Sequence, residues 1–241
     1  MILEIAANSV ASALAAQKGG AGRVELCTAL ELGGLTPSFA QIALVREKLS
    51  IPLYVLIRPR AGDFFYSDLD CETMRRDIEA CARAGCDGVV LGVLDADGGV
   101  DLPRCRALIA AAGSMGVTFH RAFDLTRDPL AALEDVIALG CERVLTSGAQ
   151  ATAIEGAGLI HQLLALAAGR IVVMPGAGVD AGNIGKLREL TGANEFHASA
   201  KRLHASGMQW RPPVLKDMQG GEWQSDVEQI RQLVSSSARA L

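Results

Sequence analysis

Charged and imidazole side chains recur at alternating positions in five β-rich segments of the sequence. Glu4, Glu25, Arg58, His120 and His197 each lie in a separate segment, opposite in parity to that segment's apolar residues. Because successive side chains of a strand point to opposite faces, the five would occupy the same kind of face. Together they suit proton transfer on a small molecule, with Glu4 or Glu25 as base, His120 as acid and Arg58 orienting an anionic group.

Several charges inside one protein cost free energy unless they pair with each other or serve a ligand. A single buried His or Glu is more often a satisfied core residue than a catalytic one, but repetition over five segments favours one shared site. We expect Arg58 to lie beside Glu25 and to hold its carboxyl group ionised. We expect His120 to have a pKa suited to proton transfer near neutral pH.

Small residues end two further segments, in Thr146-Ser147-Gly148 and Pro175-Gly176-Ala177-Gly178. Glycines there would let backbone N–H groups approach an anion at the start of the next helix. The alternative is that these glycines only form tight turns, and the sequence leaves both interpretations open. The candidate anion-binding residues are Arg60, Ser147, Gly148, Gly176, Gly178 and Ser199.

Eight β-rich runs alternate with amphipathic segments and provide the elements that would position these residues. They are nearly continuous apolar runs, typical of parallel strands covered on both faces. Helix starts are predicted at Asp128-Pro129 and at Ser225, which forms a capping-box pattern with Glu228. The runs begin at Ile2, Arg23, Pro52, Gly88, Val117, Arg143, Ile171 and Glu195.

Eight β/α units in 241 residues predict an α/β fold, a single (β/α)8 TIM barrel domain over residues 1–241. An open doubly wound sheet is the alternative, but no G-x-G-x-x-G motif opens a helix near the start. In a barrel, the apolar parity would face the helices and the polar parity would face the interior. The site is therefore expected at the C-terminal ends of the strands.

One segment, about 203–224 and directly after the eighth run, does not fit the repeat. It contains Pro212-Pro213, Gly220-Gly221, both tryptophans, Met208 and Met218. We predict a long loop, which in a compact domain is usually a lid or a binding loop. A simple subunit contact or a flap over the barrel mouth is the alternative, and both interpretations stay open.

The overall composition argues against several function classes. A net charge of -4 and a pI near 5.6 give no basic surface for nucleic acid. The start, MILEIAANSV, does not resemble a signal peptide and no apolar run is long enough to span a bilayer, so we expect a cytoplasmic protein with no membrane partner. The six cysteines should stay reduced, and all except Cys27 are expected to be small buried hydrophobic residues.

Several segments together resemble the CutC family, named for copper homeostasis, over nearly the whole chain. The resemblance implies a cytoplasmic TIM barrel, usually a homo-oligomer such as a dimer or tetramer, that binds copper ions or helps cells tolerate copper. The family's cysteine in the ELC motif falls on Cys27, which would ligate copper with His120 or His197. The segments are ELCTALELGGLTPS from Glu25, IRPRAGDFFYSD from Ile57, GVVLGVLDADGGVD from Gly88, TFHRAFD from Thr118, RVLTSG from Arg143, PGAGV from Pro175 and FHASA from Phe196.

The types of the candidate site residues do not match the ligands that the implied copper function would favour. Copper(I) prefers thiolate and thioether ligands, whereas the expected barrel mouth offers one thiol, two imidazoles, carboxylates and guanidinium groups. Met208 and Met218 could add thioethers. Three hypotheses stay open: a copper-binding homeostasis protein, an isomerase, epimerase or lyase acting on a small anionic polyol or sugar phosphate, and a non-catalytic oligomeric scaffold.

Overall fold

Strands and helices alternate along the chain and confirm the predicted α/β barrel. The computed structural model describes residues 1–210, 214 and 220–238. The barrel strands are β1 (Ile2–Ala7), β2 (Arg23–Leu26), β3 (Leu53–Leu56), β4 (Gly88–Leu91), β5 (Gly116–Phe119), β6 (Arg143–Thr146), β7 (Val172–Pro175) and β8 (Glu195–Ala198). The helices are α1 (Val10–Gly19), α2 (Phe39–Lys48), α3 (Asp68–Ala84), α4 (Leu102–Ala112), α5 (Pro129–Ala138), α6 (Ala157–Ala167), α7 (Ile184–Thr191) and α8 (Val227–Ala238).

The eight barrel strands are parallel and pair in the order β7-β6-β5-β4-β3-β2-β1-β8. The two ends of this order lie side by side, because a Cβ on Gly176, just after β7, would be 3.2 Å from the Cβ of His197 in β8. The sheet is therefore nearly closed into a barrel. Its register places Glu4 of β1 opposite Arg23 of β2 on one side and opposite His197 on the other.

Each strand has one face toward the helices and one toward the barrel interior, as the alternating pattern predicts. Leu3 and Ile5 of β1 lie in a large apolar core with Ala13 and Ala16 of α1. The alternate residues of each strand point into the barrel, where apolar and polar side chains lie together. The apolar part of this interior is a separate small cluster formed by Cys27, Tyr54, Leu56 and Val90.

Side-chain caps determine where the helices begin, and one predicted start moves by one residue. Asp128 caps α5 just before Pro129, as predicted. At α8, the N–H group of Glu228 donates to the carboxylate of Asp226 at 3.0 Å, so Asp226 replaces Ser225 as the cap. None of the helices in the described residues is both long and apolar enough to cross a bilayer.

Two antiparallel strands follow β8 and pair with each other. They occupy the two ends of the segment 203–224, for which a loop was predicted. The strands are β9 (Lys201–His204) and β10 (Glu222–Ser225). A Cβ on Gly221 would lie 1.7 Å from the carbonyl oxygen of His204, so only glycine fits where the strands begin to pair. The sequence did not predict these strands at the ends of the loop, because two strands that pair across a long connection leave little local signal.

The residues between these two strands bear on the predicted thioether ligands. Met208 and Trp210 are exposed. Residues 212–213 and Met218 lie outside the described residues. Met208 therefore faces solvent, and a ligand role for Met218 stays a prediction.

Candidate functional site

A cavity of about 280 Å³, here called the first cavity, opens at the C-terminal ends of the barrel strands. Glu25, Arg58, His120 and His197 all line it, so four of the five predicted residues surround one space. The fifth, Glu4, is fully buried behind His197. The connecting loops contribute Leu32, Gly33, Phe64, Arg121, Asp124 and Leu125.

A second cavity of about 290 Å³ adjoins the first. The two cavities share Glu25, Gly33, Arg121 and His197. The polar strand ends therefore surround two neighbouring spaces with a common wall. Residues that belong to the second cavity alone include Cys27, Gly178, Ser199 and Lys201.

Glu25 carries a buried carboxyl group without a protein partner. Its Oε2 atom accepts no hydrogen bond from the described residues. Burial, aided by Glu4 and opposed by His197 and Arg23, raises the pKa of Glu25 to about 7. The predicted contact with Arg58 is wrong, and Glu25 can gain or lose a proton near neutral pH.

Arg58 is held by backbone carbonyl groups rather than by a carboxylate. Its Nη1 atom donates to the carbonyls of Leu32 at 2.8 Å and Gly34 at 2.9 Å, and Nη2 donates to that of Gly62 at 2.8 Å. The guanidinium carbon lies 5.0 Å from the centre of the Phe64 ring. The Nε atom has no partner among the described residues. A buried cation held in this way favours an anion in the cavity.

His120 is a neutral imidazole whose single proton is on Nε2. Its Nδ1 atom accepts the N–H of Ala122 at 3.2 Å, while Nε2 has no partner among the described residues. Burial, and then the charge of Arg58, lower the pKa of His120 to about 3. The expected pKa near neutral pH is therefore wrong, whereas the acid role stays a prediction, because a neutral imidazole can still donate its Nε2–H group. A copper ion at Nε2 would require a proton on Nδ1, where Ala122 already donates, so the geometry does not favour His120 as a ligand.

His197 is oriented by a buried carboxylate. Its Nδ1 atom lies 2.8 Å from Oε1 of Glu4, so its Nε2 is left for the cavities. Glu4 also pairs with Arg23.

Burial alone would raise the pKa of Glu4, but His197 and Arg23 outweigh it and lower that pKa. Burial alone would lower the pKa of His197, but Glu25 and Glu4 outweigh it and raise that pKa. Glu4 is therefore favoured in its ionised, bonded form, which makes Glu25 the better candidate for a base.

Toward the N-terminal ends of the strands, the interior is filled by a charged network that the sequence analysis missed. The guanidinium carbons of Arg23 and Arg143 lie 5.3 Å and 4.9 Å from the centre of the Tyr54 ring. Both arginines also pair with Glu195, at 2.7 Å and 3.3 Å. A Cβ on Gly88 would lie 2.1 Å from the Tyr54 ring, so glycine is required beside it. Both arginines have the interior parity, which could have identified them.

Ser147 and Gly148, predicted to bind an anion, are bonded to protein groups instead. Asp124 accepts hydrogen bonds from the N–H of Ser147 at 3.0 Å and from its hydroxyl at 2.9 Å. The N–H of Gly148 donates to the hydroxyl of Thr146 at 2.9 Å. Because a protein carboxylate already uses the Ser147 groups, this turn has little to offer a bound anion.

The remaining predicted anion-binding residues are divided among the second cavity, the barrel wall and the surface. Gly178 and Ser199 line the second cavity. Gly176 is a close-packing position, since a Cβ there would crowd the neighbouring strands. Arg60 lines neither cavity and pairs with Asp63 at 3.0 Å. Strand β3 ends before Arg60, so the alternation that placed it inside no longer applies.

Arg121 lines both cavities and was missed by the sequence analysis. Its Nε lies 2.8 Å from the carboxylate of Asp124, and its Nη2 donates to the hydroxyl of Ser147 at 2.9 Å. The side chain is 44% exposed, which places a cation at the entrance. Its position directly after His120 was the available signal.

The groups expected to bind copper are only partly brought together. Cys27 lines the second cavity with His197 and Glu25, and burial raises the pKa of its thiol. The other five cysteines belong to the outer core or pack against it, as predicted. Among the residues that the structure describes, one group of His, Cys, Asp or Glu is close enough to hold a metal: Glu4, Glu25 and His197, whose ligand atoms lie within 4.8 Å of one another.

Comparisons with known proteins agree with the fold. The model of the CutC family matches residues 1–202. A family protein CutC from Xylella fastidiosa (strain Temecula1 / ATCC 700964) is 62% identical over 232 residues, which cover 96% of this chain and 87% of that protein. The copper homeostasis protein cutC homolog of Mus musculus is 49% identical over 210 residues, 87% of this chain and 77% of that protein.

A solved structure gives the same result. The crystal structure of CutC from Streptococcus agalactiae is 32% identical and superposes with a TM-score of 0.79 over 82% of this chain and 97% of that one. Both the sequence and the barrel are thus shared over most of their length. The chain belongs to the CutC family.

Proposed function

We propose that the protein is an enzyme that performs acid–base chemistry on a small anionic polyol, such as a sugar phosphate, at the barrel mouth. One observation carries the proposal. Three buried polar atoms that have no hydrogen-bond partner among the described residues, Glu25 Oε2, Arg58 Nε and His120 Nε2, belong to residues that line the same cavity. Leaving a buried polar group unpaired costs about 1–3 kcal/mol. A ligand that pairs with all three would recover that free energy.

The charges around the two cavities support an anionic ligand. Arg58 and Arg121 line the first cavity, and Lys201 lines the second. Two carboxyl groups of the first cavity oppose them: Glu25 while it is ionised, and Asp124, which pairs with Arg121 at 2.8 Å. This pair leaves Arg58 as the cation held by carbonyl groups. Phosphate or carboxylate oxygens suit guanidinium donors, and sugar hydroxyl groups suit Glu25 and the imidazoles.

Sugar phosphates are expected to raise the melting temperature of the protein through Arg58. We name dihydroxyacetone phosphate, ribulose 5-phosphate and fructose 6-phosphate as probes of increasing length. A ligand at 100 times its Kd stabilises the folded state by about 2.7 kcal/mol. The increase in Tm, measured by differential scanning fluorimetry, should disappear in Arg58→Leu because the buried cation is lost.

Arg60→Leu is the matched control for this experiment. Arg60 lies two positions away but pairs with Asp63 outside both cavities, so its variant should keep the full ligand-induced increase in Tm. The proposal fails if none of the three sugar phosphates stabilises the wild type, or if Arg58→Leu retains the stabilisation.

A second candidate is copper binding, which the name of the mouse relative suggests. The favouring observation is that His197 Nδ1 is bonded to Glu4, while Cys27 lines the same cavity as His197. In metal sites, a carboxylate that does not touch the ion often orients a metal-binding imidazole in this way. Cys27 and His197 would hold the ion, with Glu25 beside them. One thiol and one imidazole are acceptable to copper(I), although a second sulfur ligand is usual for a soft ion.

When copper(I) is added in the absence of oxygen, the protein is expected to bind one copper ion per chain. This binding should be lost in Cys27→Ala. Cys71→Ala is the control, because Cys71 packs against the outer core. Native mass spectrometry with elemental analysis measures the ion and also counts the subunits, for which we expect a dimer or tetramer. Copper retained by Cys27→Ala contradicts this candidate, and a protein that binds neither copper nor sugar phosphates supports a non-catalytic scaffold.

A further inference from the structure

The hydrogen bond on His120 makes this residue a fixed hydrogen-bond donor. Its Nδ1 atom accepts the N–H of Ala122 at 3.2 Å. A neutral imidazole that is unprotonated at Nδ1 carries its one proton on Nε2. This Nε2 atom is buried and finds no partner among the residues described. A Cβ on Gly92 would lie 2.7 Å from the ring, so the ring fills the space that glycine leaves. The first cavity therefore receives an N–H group from a neutral, closely packed ring.

Arg58 provides a second N–H group in the same corner of the cavity. The Phe64 ring centre lies 4.7 Å from the centre of the His120 ring and 5.0 Å from the guanidinium carbon of Arg58. Three backbone carbonyls hold Nη1 and Nη2 of Arg58, while Nε has no hydrogen-bond partner in the part of the chain that the structure describes. Two preorganised N–H donors, one neutral and one cationic, suit an oxygen atom that gains negative charge during a reaction.

Glu25 supplies a base for the same space. Its Oε2 atom is buried without a partner, and the residue lines the first cavity with Arg58 and His120. A carboxylate opposite a neutral imidazole donor is a combination that suits removal of a proton from carbon next to a carbonyl group.

From this geometry, and resting on the small-anion function proposed above, we infer that the enzyme forms an enolate from an α-hydroxy aldehyde or ketone that carries an anionic group. Glu25 takes the proton from the carbon next to the carbonyl. The C–H electron pair forms a C=C bond, and the C=O π pair moves to the oxygen, which Arg58 Nε–H and His120 Nε2–H bind. Return of the proton from Glu25 to the same carbon regenerates the carbonyl compound.

The enolate step is tested by hydrogen exchange at carbon. The three sugar phosphates named above are incubated with the protein in D2O, and proton NMR follows the loss of the C–H signals next to the carbonyl. We expect at least one of them to exchange. Exchange should be lost in Glu25→Gln, which keeps the shape of the side chain but removes the base.

His120→Leu should slow the same exchange about 100-fold, because one donor to the oxyanion is lost. His120→Gln restores an N–H donor and should recover part of the rate, which a merely structural role would not predict. His161→Leu is the control, since His161 lies on α6 and contacts the carbonyl of Thr191. Nitrogen-15 NMR of labelled histidines should also show His120 protonated at Nε2 only, at pH 7.

The outcomes separate this inference from the proposed function. Stabilisation by a sugar phosphate without any C–H exchange overturns the enolate step and leaves the binding function intact. A spectrum with the His120 proton on Nδ1 overturns the donor role whatever the substrate. If none of the three sugar phosphates stabilises the protein, the proposed function and this inference both fail.

Discussion

Arg23→Leu is expected to lower the free energy of unfolding by about 3–5 kcal/mol, because it removes a buried cation that two interior carboxylates share. Arg23 is 4% exposed and pairs with both Glu4 and Glu195 inside the barrel. Leucine fills part of the volume but cannot compensate either charge. Urea-induced unfolding at pH 7, followed by far-UV circular dichroism, measures the change.

Arg170→Leu is the matched control, since it removes an arginine from a half-exposed pair with Glu134. Exposed pairs contribute about 0–1 kcal/mol, so this variant should stay close to the wild type. Adding Glu4→Gln to Arg23→Leu should recover part of the lost stability because one unpaired charge is removed. Equal losses in the Arg23 and Arg170 variants would show that the interior network is not a stabilising element.

The free energy of unfolding of Glu25→Gln is expected to increase, relative to that of the wild type, as the pH rises. The pKa of Glu25 is about 7 in the folded protein and 4.5 as its reference value. The folded state therefore binds more protons than the unfolded state between these values. The stability that Glu25 contributes is present below pH 4.5 and is lost as the pH rises through 7.

The size of the effect follows from the same two values. One pKa unit corresponds to about 1.4 kcal/mol, so the full shift corresponds to about 3 kcal/mol. Most of it develops between pH 5 and pH 8, where we expect the Glu25→Gln advantage in unfolding free energy to grow by about 2–3 kcal/mol. The pH dependence that His120 contributes is common to both proteins and cancels in the difference. The contribution of His197 does not cancel, because Glu25 raises the pKa of His197 in the wild type only.

Urea unfolding of both proteins at pH 5, 6, 7 and 8 measures this difference directly. Glu47→Gln, at an exposed position of α2, is the control and should show no comparable trend. A difference between Glu25→Gln and the wild type that is constant with pH would show that Glu25 is ionised at pH 5 already. The same Glu25→Gln variant is expected to lose the exchange of carbon-bound hydrogen of the sugar phosphates in D2O. One substitution would therefore stabilise the protein and abolish the proposed reaction.

The fold and the inward-facing residues could be predicted because they depend on local patterns. Period-two alternation placed Glu25 and His197 on interior faces, and the cap at Asp128 located the start of α5. The Gly221 contact with His204 could not be predicted, because it depends on two strands separated by a long connection.

The pairing of charges inside the barrel was much less predictable. Alternation gives the face of a side chain but not its height along the barrel axis, which depends on register between strands. Arg58 was therefore expected beside Glu25, whereas register puts Arg23 next to Glu4 and leaves Arg58 to the loop carbonyls. The protonation of His120 depends on its hydrogen bond to Ala122, which composition and parity do not show.

The Tyr54 ring and its two arginines affect the route by which a ligand can enter the barrel. Tyr54, Arg23 and Arg143 are each less than a tenth exposed, so the barrel axis is not a channel. In the described part of the chain, Glu25 faces cavities at the C-terminal ends of the strands, where Arg121 lies at the rim. At that rim a reaction product would have to depart before the next substrate arrives, and a protein that hands over or collects cargo would dock there.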